Sequence, residues 1–149
     1  MNETNRVILV VDDEPEIGGM LVDCLEVHGY LMLSARNADE ALRLLDLHPE
    51  TGLLLTDVVM PGGMNGFDLA RRAQSVNPRL QVVFMTGYAA AEMIGDAMKR
   101  RPTILQKPFW FEHLIRVVEA AFATRSPGSI EPSPPVVRSH PQRVEDPCL

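Results

Sequence analysis

Four strand-like apolar runs in this chain each deliver a polar or ionisable residue at their end, and helical stretches separate them. Val7–Val11 leads into Asp12-Asp13, residues 53–56 into Asp57, residues 80–85 into Thr86, and a weaker run at 103–106 into Lys107-Pro108. Continuous apolar runs of four to six residues, rather than strict alternation, belong to strands covered on both faces, as in a parallel sheet flanked by helices. Parallel strands all finish on one edge. Three carboxylates, a hydroxyl and an ammonium should therefore meet in one crevice, at the edge where open α/β sheets bind their ligands.

The stretches between the runs carry helical periodicity. Residues 15–28 place Ile17, Met20, Leu21, Cys24 and Leu25 on one face, with Pro15 suited to a first turn and Gly29 to a stop. Residues 30–35 read as a strand, and Asn37-Ala38-Asp39-Glu40 opens a second helix through Leu47. A Gly-rich turn, Pro61-Gly62-Gly63-Met64-Asn65-Gly66, precedes a third helix carrying Phe67, Leu69, Ala70 and Ala73. Further helices are expected over about 89–100, where Gly95 loosens the turn, and over 109–123. Five βα units imply an α/β fold with a doubly wound, five-stranded parallel sheet. The flavodoxin-like order 2-1-3-4-5 puts its switch point between Asp12/Asp13 and Asp57.

Residues 125–149 break the pattern, holding six of the twelve prolines and no apolar periodicity. The expected organisation is one globular domain over 1–124 and a Pro-rich tail over 125–149 that is disordered or extended. Composition leaves docking segment and remnant equally open for that tail. A net charge of −6 argues against a nucleic-acid groove binder, and no apolar run approaches the ~20 residues of a membrane span. The polar N-terminus lacks a signal-peptide core, and Cys24 and Cys148 form neither a disulfide framework nor a zinc motif. A cytoplasmic protein is the expectation.

Singly, each polar strand-end residue has a bland reading. Asp12-Asp13 could cap a helix, Asp57 could open a turn, Thr86 could end a strand, and Lys107 could be a solvated lysine. Their arrival at one edge favours chemistry instead. Crowded carboxylates repel and raise each other's pKa unless a cation sits among them. A few hard oxygen donors with room for water suit Mg²⁺, and a carboxylate beside such an ion can act as nucleophile toward phosphorus. An ammonium and a hydroxyl would neutralise and bind the equatorial phosphoryl oxygens.

With these residues in place, residues 6–123 resemble the receiver domains of two-component response regulators. The matching stretches are Val10-Val11-Asp12-Asp13-Glu14, Thr56-Asp57-Val58-Val59-Met60-Pro61, Met85-Thr86-Gly87-Tyr88 and Gln106-Lys107-Pro108-Phe109. The resemblance implies Asp57 as phosphoacceptor, and Asp12, Asp13, Asp57 and the backbone carbonyl of Val59 as Mg²⁺ ligands. It further implies that Thr86 and Lys107 contact the phosphoryl group, and that the Lys107-Pro108 peptide is cis. The partners it implies are a histidine kinase or histidine phosphotransfer protein as donor and a downstream protein as target, with the chain a monomer or weak homodimer. No turnover enzyme, nucleic acid or membrane is expected. A phosphate sink and a pseudo-receiver serving only as an interaction module are the alternative roles.

Three departures stand out. The 60–66 loop is one residue longer than usual with Asn65 where Asp is frequent, as in receivers of hybrid histidine kinases. Ile104 occupies the position usually held by the switch aromatic, which puts the usual Thr-to-aromatic coupling in doubt. Val59 and Tyr88, flanking the hydrolytic water's route, offer it no carboxylate or amide, so slow self-dephosphorylation is expected. In Phe109-Trp110-Phe111, Phe109 reads as core, and Trp110 as either core or an exposed interface anchor.

Overall fold

A computed structural model describes residues 6–60, 62–87 and 103–123. Within them the chain runs β1 (Val7–Val11), α1 (Pro15–Val27), β2 (Leu31–Ala35), α2 (Ala38–Leu47), β3 (Leu53–Asp57), α3 (Gly66–Val76), β4 (Gln81–Thr86), β5 (Thr103–Gln106) and α4 (Phe111–Ala123). All neighbouring strands pair in parallel, in the order β2-β1-β3-β4-β5. This is the doubly wound, flavodoxin-like sheet expected from the βα alternation. The helix expected over about 89–100 and the tail lie outside the described residues.

The two-residue period of the strands builds two cores. Ile8, Val10, Leu53, Leu55, Val83, Met85 and Leu105 face α1 and α4, meeting Leu21, Leu25, Leu114 and Val118. Leu9, Val11, Leu54 and Phe84 face α2 and α3, meeting Ala41, Leu69, Ala70 and Ala73. Every residue of β1 is buried, which accounts for its lack of alternation. Each such aliphatic side chain stabilises the fold by roughly 1.5–3 kcal/mol.

Local signals set most boundaries. Pro15 begins α1, and Gly29, at φ +92°, turns the chain beyond its end. Asn37 caps α2 by accepting from the Glu40 amide, and Asn65 caps α3 by accepting from the Asp68 amide. Asn65, unusual when viewed as a departure, is thus a working N-cap.

Several details differ from the periodic reading. Met20 is 43% exposed although it shares the apolar stripe of α1, because Gly18, Leu21 and Leu25 take the sheet-facing positions. Tyr30 precedes β2 rather than opening it, because its amide is bonded back to Leu25 O at the end of α1. The last helix starts at Phe111, not 109: the carbonyl of Trp110 accepts the amides of His113 and Leu114, so Trp110 caps the helix from outside. Phe109 is buried as expected, while Trp110 is half-buried.

Gly66 joins the fold to the functional edge. Its amide donates to Val58 O at 2.8 Å, holding the start of α3 against the end of β3. A Cβ at this position would overlap the Asp57 carbonyl oxygen and stand 3.0 Å from Val58 Cα. Both obstacles are backbone and cannot swing aside. Gly66→Ala should therefore cost about 1–3 kcal/mol, the usual range for overpacking, read as a lower urea midpoint at unchanged slope. An unaltered midpoint would contradict this role.

Candidate functional site

The strand ends bring together the residues expected to meet. Asp12 follows β1, Asp57 ends β3, Thr86 ends β4, and Lys107 follows β5. Carboxylate oxygens of Asp12, Asp13 and Asp57 lie within 4.8 Å of one another. The Lys107 ammonium donates to Asp12 Oδ2 at 3.3 Å and to Asp57 Oδ2 at 3.4 Å, so a residue of the far edge strand reaches β1 and β3. Backbone pairing supports that reach, the Lys107 amide donating to Thr86 O at 2.8 Å. The Lys107-Pro108 peptide is cis, as the resemblance implied.

Burial divides the roles. The Asp12 side chain is almost wholly enclosed, that of Asp57 is 15% exposed, and that of Lys107 is 22% exposed. Asp13 lies open to solvent. Asp12 is held on three sides: its amide donates to Ala35 O, Oδ1 accepts from the Glu14 amide, and Oδ2 accepts from Lys107. The Asp57 backbone is braced as well, its carbonyl accepting from Thr56 Oγ1 at 2.9 Å. The carboxylate of Asp57 pairs with Lys107, with a lesser hydrogen-bonding contribution from the Val58 amide, and stays nearer the opening than that of Asp12.

Charge in the crevice is unbalanced, with three carboxylates against one ammonium. Burial, followed by the repulsion of Asp12, pushes the Asp57 pKa up despite the attraction of Lys107. Burial also works against the Lys107 ammonium, but Asp57 and Asp12 overcome it and hold its pKa above the ordinary lysine value. An isolated ion pair would lower the acid's pKa. Asp57 instead rises because the cost of enclosing its charge, with the repulsion of Asp12 added, exceeds the attraction of the Lys107 ammonium. Three oxygen donors of this kind, one open to water, suit a hard divalent cation, and they make an acidic cluster that could hold one.

Thr86 is buried at the end of β4, where its hydroxyl makes a long, 3.4 Å contact to Gly87 O. Val59 projects outward at the crevice, 68% exposed. Tyr88 lies outside the described residues. Ile104 is partly buried beside β4, paired with Phe84 and packed on the α2/α3 side of the sheet. The bracing groups Thr56, Ala35 and Gly66 were not anticipated. The Gly-rich turn was visible in the sequence, but the close approach that requires Gly66 exists only once β3 and α3 are folded together.

This fold and acidic edge belong to a known class. A family model of the response regulator receiver domain matches residues 8–119, and the chain belongs to that family. The response regulator receiver protein CpdR of Brucella abortus is 38% identical over 113 residues, covering 75% of this chain and 92% of that protein. The nitrogen assimilation regulatory protein NtrX of Azorhizobium caulinodans is 33% identical over 119 residues, which are 78% of this chain but 26% of NtrX. Among solved structures, a response regulator receiver domain protein from Clostridium thermocellum superposes with a TM-score of 0.74 at 28% identity, covering 80% of this chain and 95% of that one. No helix among the described residues is long and apolar enough to cross a membrane.

The charge imbalance has a measurable consequence in EDTA. A folded-state pKa raised above the unfolded value means that Asp57 favours the fold while protonated, and that this contribution disappears as pH rises through the raised pKa. At neutral pH Asp57→Asn should therefore raise the melting temperature. Lys107→Ala should lower stability by about 1–3 kcal/mol, less than for a fully buried pair because the site is partly open. Thermal scans that order these variants the other way would refute the electrostatic account.

Proposed function

We propose that this protein is a phosphoacceptor of a two-component relay, modified on Asp57 by a histidine kinase or histidine phosphotransfer protein. The supporting observation is the convergence of Asp12, Asp13 and Asp57 around one ammonium within a receiver fold. Asp12, Asp13, Asp57 and the Val59 carbonyl would hold Mg²⁺, which supplies positive charge toward the phosphoryl oxygens. The chain's own groups do the rest.

Asp57 carries the more accessible of the two enclosed carboxylates, 15% exposed against 1% for Asp12, whose Oδ1 is also committed to the Glu14 amide. An Asp57 oxygen forms the new bond to phosphorus while the bond from phosphorus to the donor imidazole breaks. Lys107 then leaves its shared position and pairs with a phosphoryl oxygen, and the Thr86 hydroxyl, whose present contact is weak, turns to donate to another. A phosphoryl group adds charge at the ends of β3, β4 and β5, biasing the faces those strands carry toward a second conformation. Output passes to a downstream protein by contact, and the chain performs no turnover chemistry on a separate substrate. A pseudo-receiver would have no reason to maintain three crowded acids at a cost in stability.

Intact-mass measurement after acetyl phosphate and Mg²⁺ should show one added phosphoryl group in the native chain and none in Asp57→Asn. An unshifted native mass, or an equal shift in the variant, would sink the proposal. The lifetime of the adduct is a separate matter. The exposed Val59 offers no group to orient an attacking water. Self-dephosphorylation should run over minutes or longer, and Val59→Glu should shorten it; a half-life of seconds in the native chain would count against this assignment.

A further inference from the structure

At the opposite edge of the sheet, where the strands begin, α2 and α3 end side by side and leave an apolar groove that the phosphoryl chemistry does not use. It encloses about 250 Å³. Leu42 and Leu45 of α2, Val76 of α3 and Leu80 ahead of β4 line it, with Asp46 on one wall and Arg72 on the other. Val76 is 84% exposed, and Leu47, beside the lining residue His48, is 66% exposed. Neither Asp46 nor Arg72 has a side-chain partner among the described residues.

We propose that this groove is the intramolecular docking site of the chain's own segment Ile130-Glu131-Pro132-Ser133-Pro134-Pro135-Val136-Val137-Arg138. Reach is the first argument. The end of α4 lies on this same edge, because Phe122 stacks on Tyr30, just ahead of β2, at 5.5 Å. The groove lies there too, since Pro49 and Leu80, ahead of β3 and β4, line it. Crossing from one helix layer to the other is on the order of 20 Å from helix and sheet dimensions. Residues 124–129, extended, span roughly that distance, which brings Ile130 to the groove.

Chemistry is the second argument. Prolines favour the polyproline II form, which loses little entropy on binding and presents Pro and Val side chains to an apolar channel. The segment carries Glu131 near its start and Arg138 at its end, complementary to Arg72 and Asp46. The cavity is smaller than the roughly 300–1,000 Å³ of small-molecule sites, which suits a few side chains better than a separate ligand. Tethering supplies an effective concentration of order millimolar, so weak contacts are enough to keep the segment seated.

Paramagnetic relaxation tests this in the full chain. A spin label on Ser139→Cys, with Cys24→Ser and Cys148→Ser, should quench the methyl signals of Leu42, Leu45 and Val76. Those of Val59, at the far edge, should stay intact. Replacing Val136 and Val137 with Asp should restore the groove signals, as should Val76→Gln, a change at an exposed position that leaves the core alone. Quenching that is absent or uniform overturns the proposal. So does equally strong quenching on unlabelled, isotope-enriched chains mixed with spin-labelled, unenriched ones, since the occupant would then be a second copy.

Discussion

One ammonium divided between two enclosed carboxylates makes the functional edge of this molecule tenable. Lys107 stands within 3.4 Å of Asp57 and 3.3 Å of Asp12, so the far strand of the sheet is tied electrostatically to two strands near its centre. Without it, Asp12 would be buried with no cation. With it, the crevice still carries excess negative charge, and Asp57 remains harder to ionise than a free carboxyl. That condition is useful where a divalent cation and a phosphoryl group are to be received.

The scaffold explains why such a strained arrangement persists. β1 and most of β3 are buried on both faces, and large aliphatic side chains fill the two cores. Hydrogen bonds brace the reactive ends: Ala35 O and the Glu14 amide hold Asp12, Thr56 holds the Asp57 carbonyl, and Gly66 presses α3 against the same peptide. The rigid strands carry the stability, and the loops beyond them carry the chemistry. Asp57 is anchored through its backbone while its carboxylate stays near the opening.

Much of this was legible in the linear order. The apolar runs marked the strands, and the polar residues behind them marked the edge on which they meet. Asn37 stood at the helix opening read there, and Pro15 and Gly29 bounded their helix, whereas the capping role of Asn65 showed only in the fold. Other features were not legible. Met20 has the spacing of a core residue, yet the rotation of α1 on the sheet leaves it exposed. Phe109 looks like the first residue of a helix, but it is the carbonyl of Trp110 that receives the opening amides. Ile104 was recognisable as a substitution, while its place beside Phe84 on the α2/α3 side emerges only from strand register.

Periodicity, residue type and spacing were sufficient for the parallel sheet and for the gathering of Asp12, Asp13, Asp57 and Lys107 at one edge, because strand direction and burial follow from local pattern. Contact distances, the sharing of Lys107 between two acids, the clamp at Gly66 and the groove between α2 and α3 required the folded chain. These arise where residues far apart in sequence approach within a few ångströms, and such approaches are set by packing that no short stretch of sequence encodes.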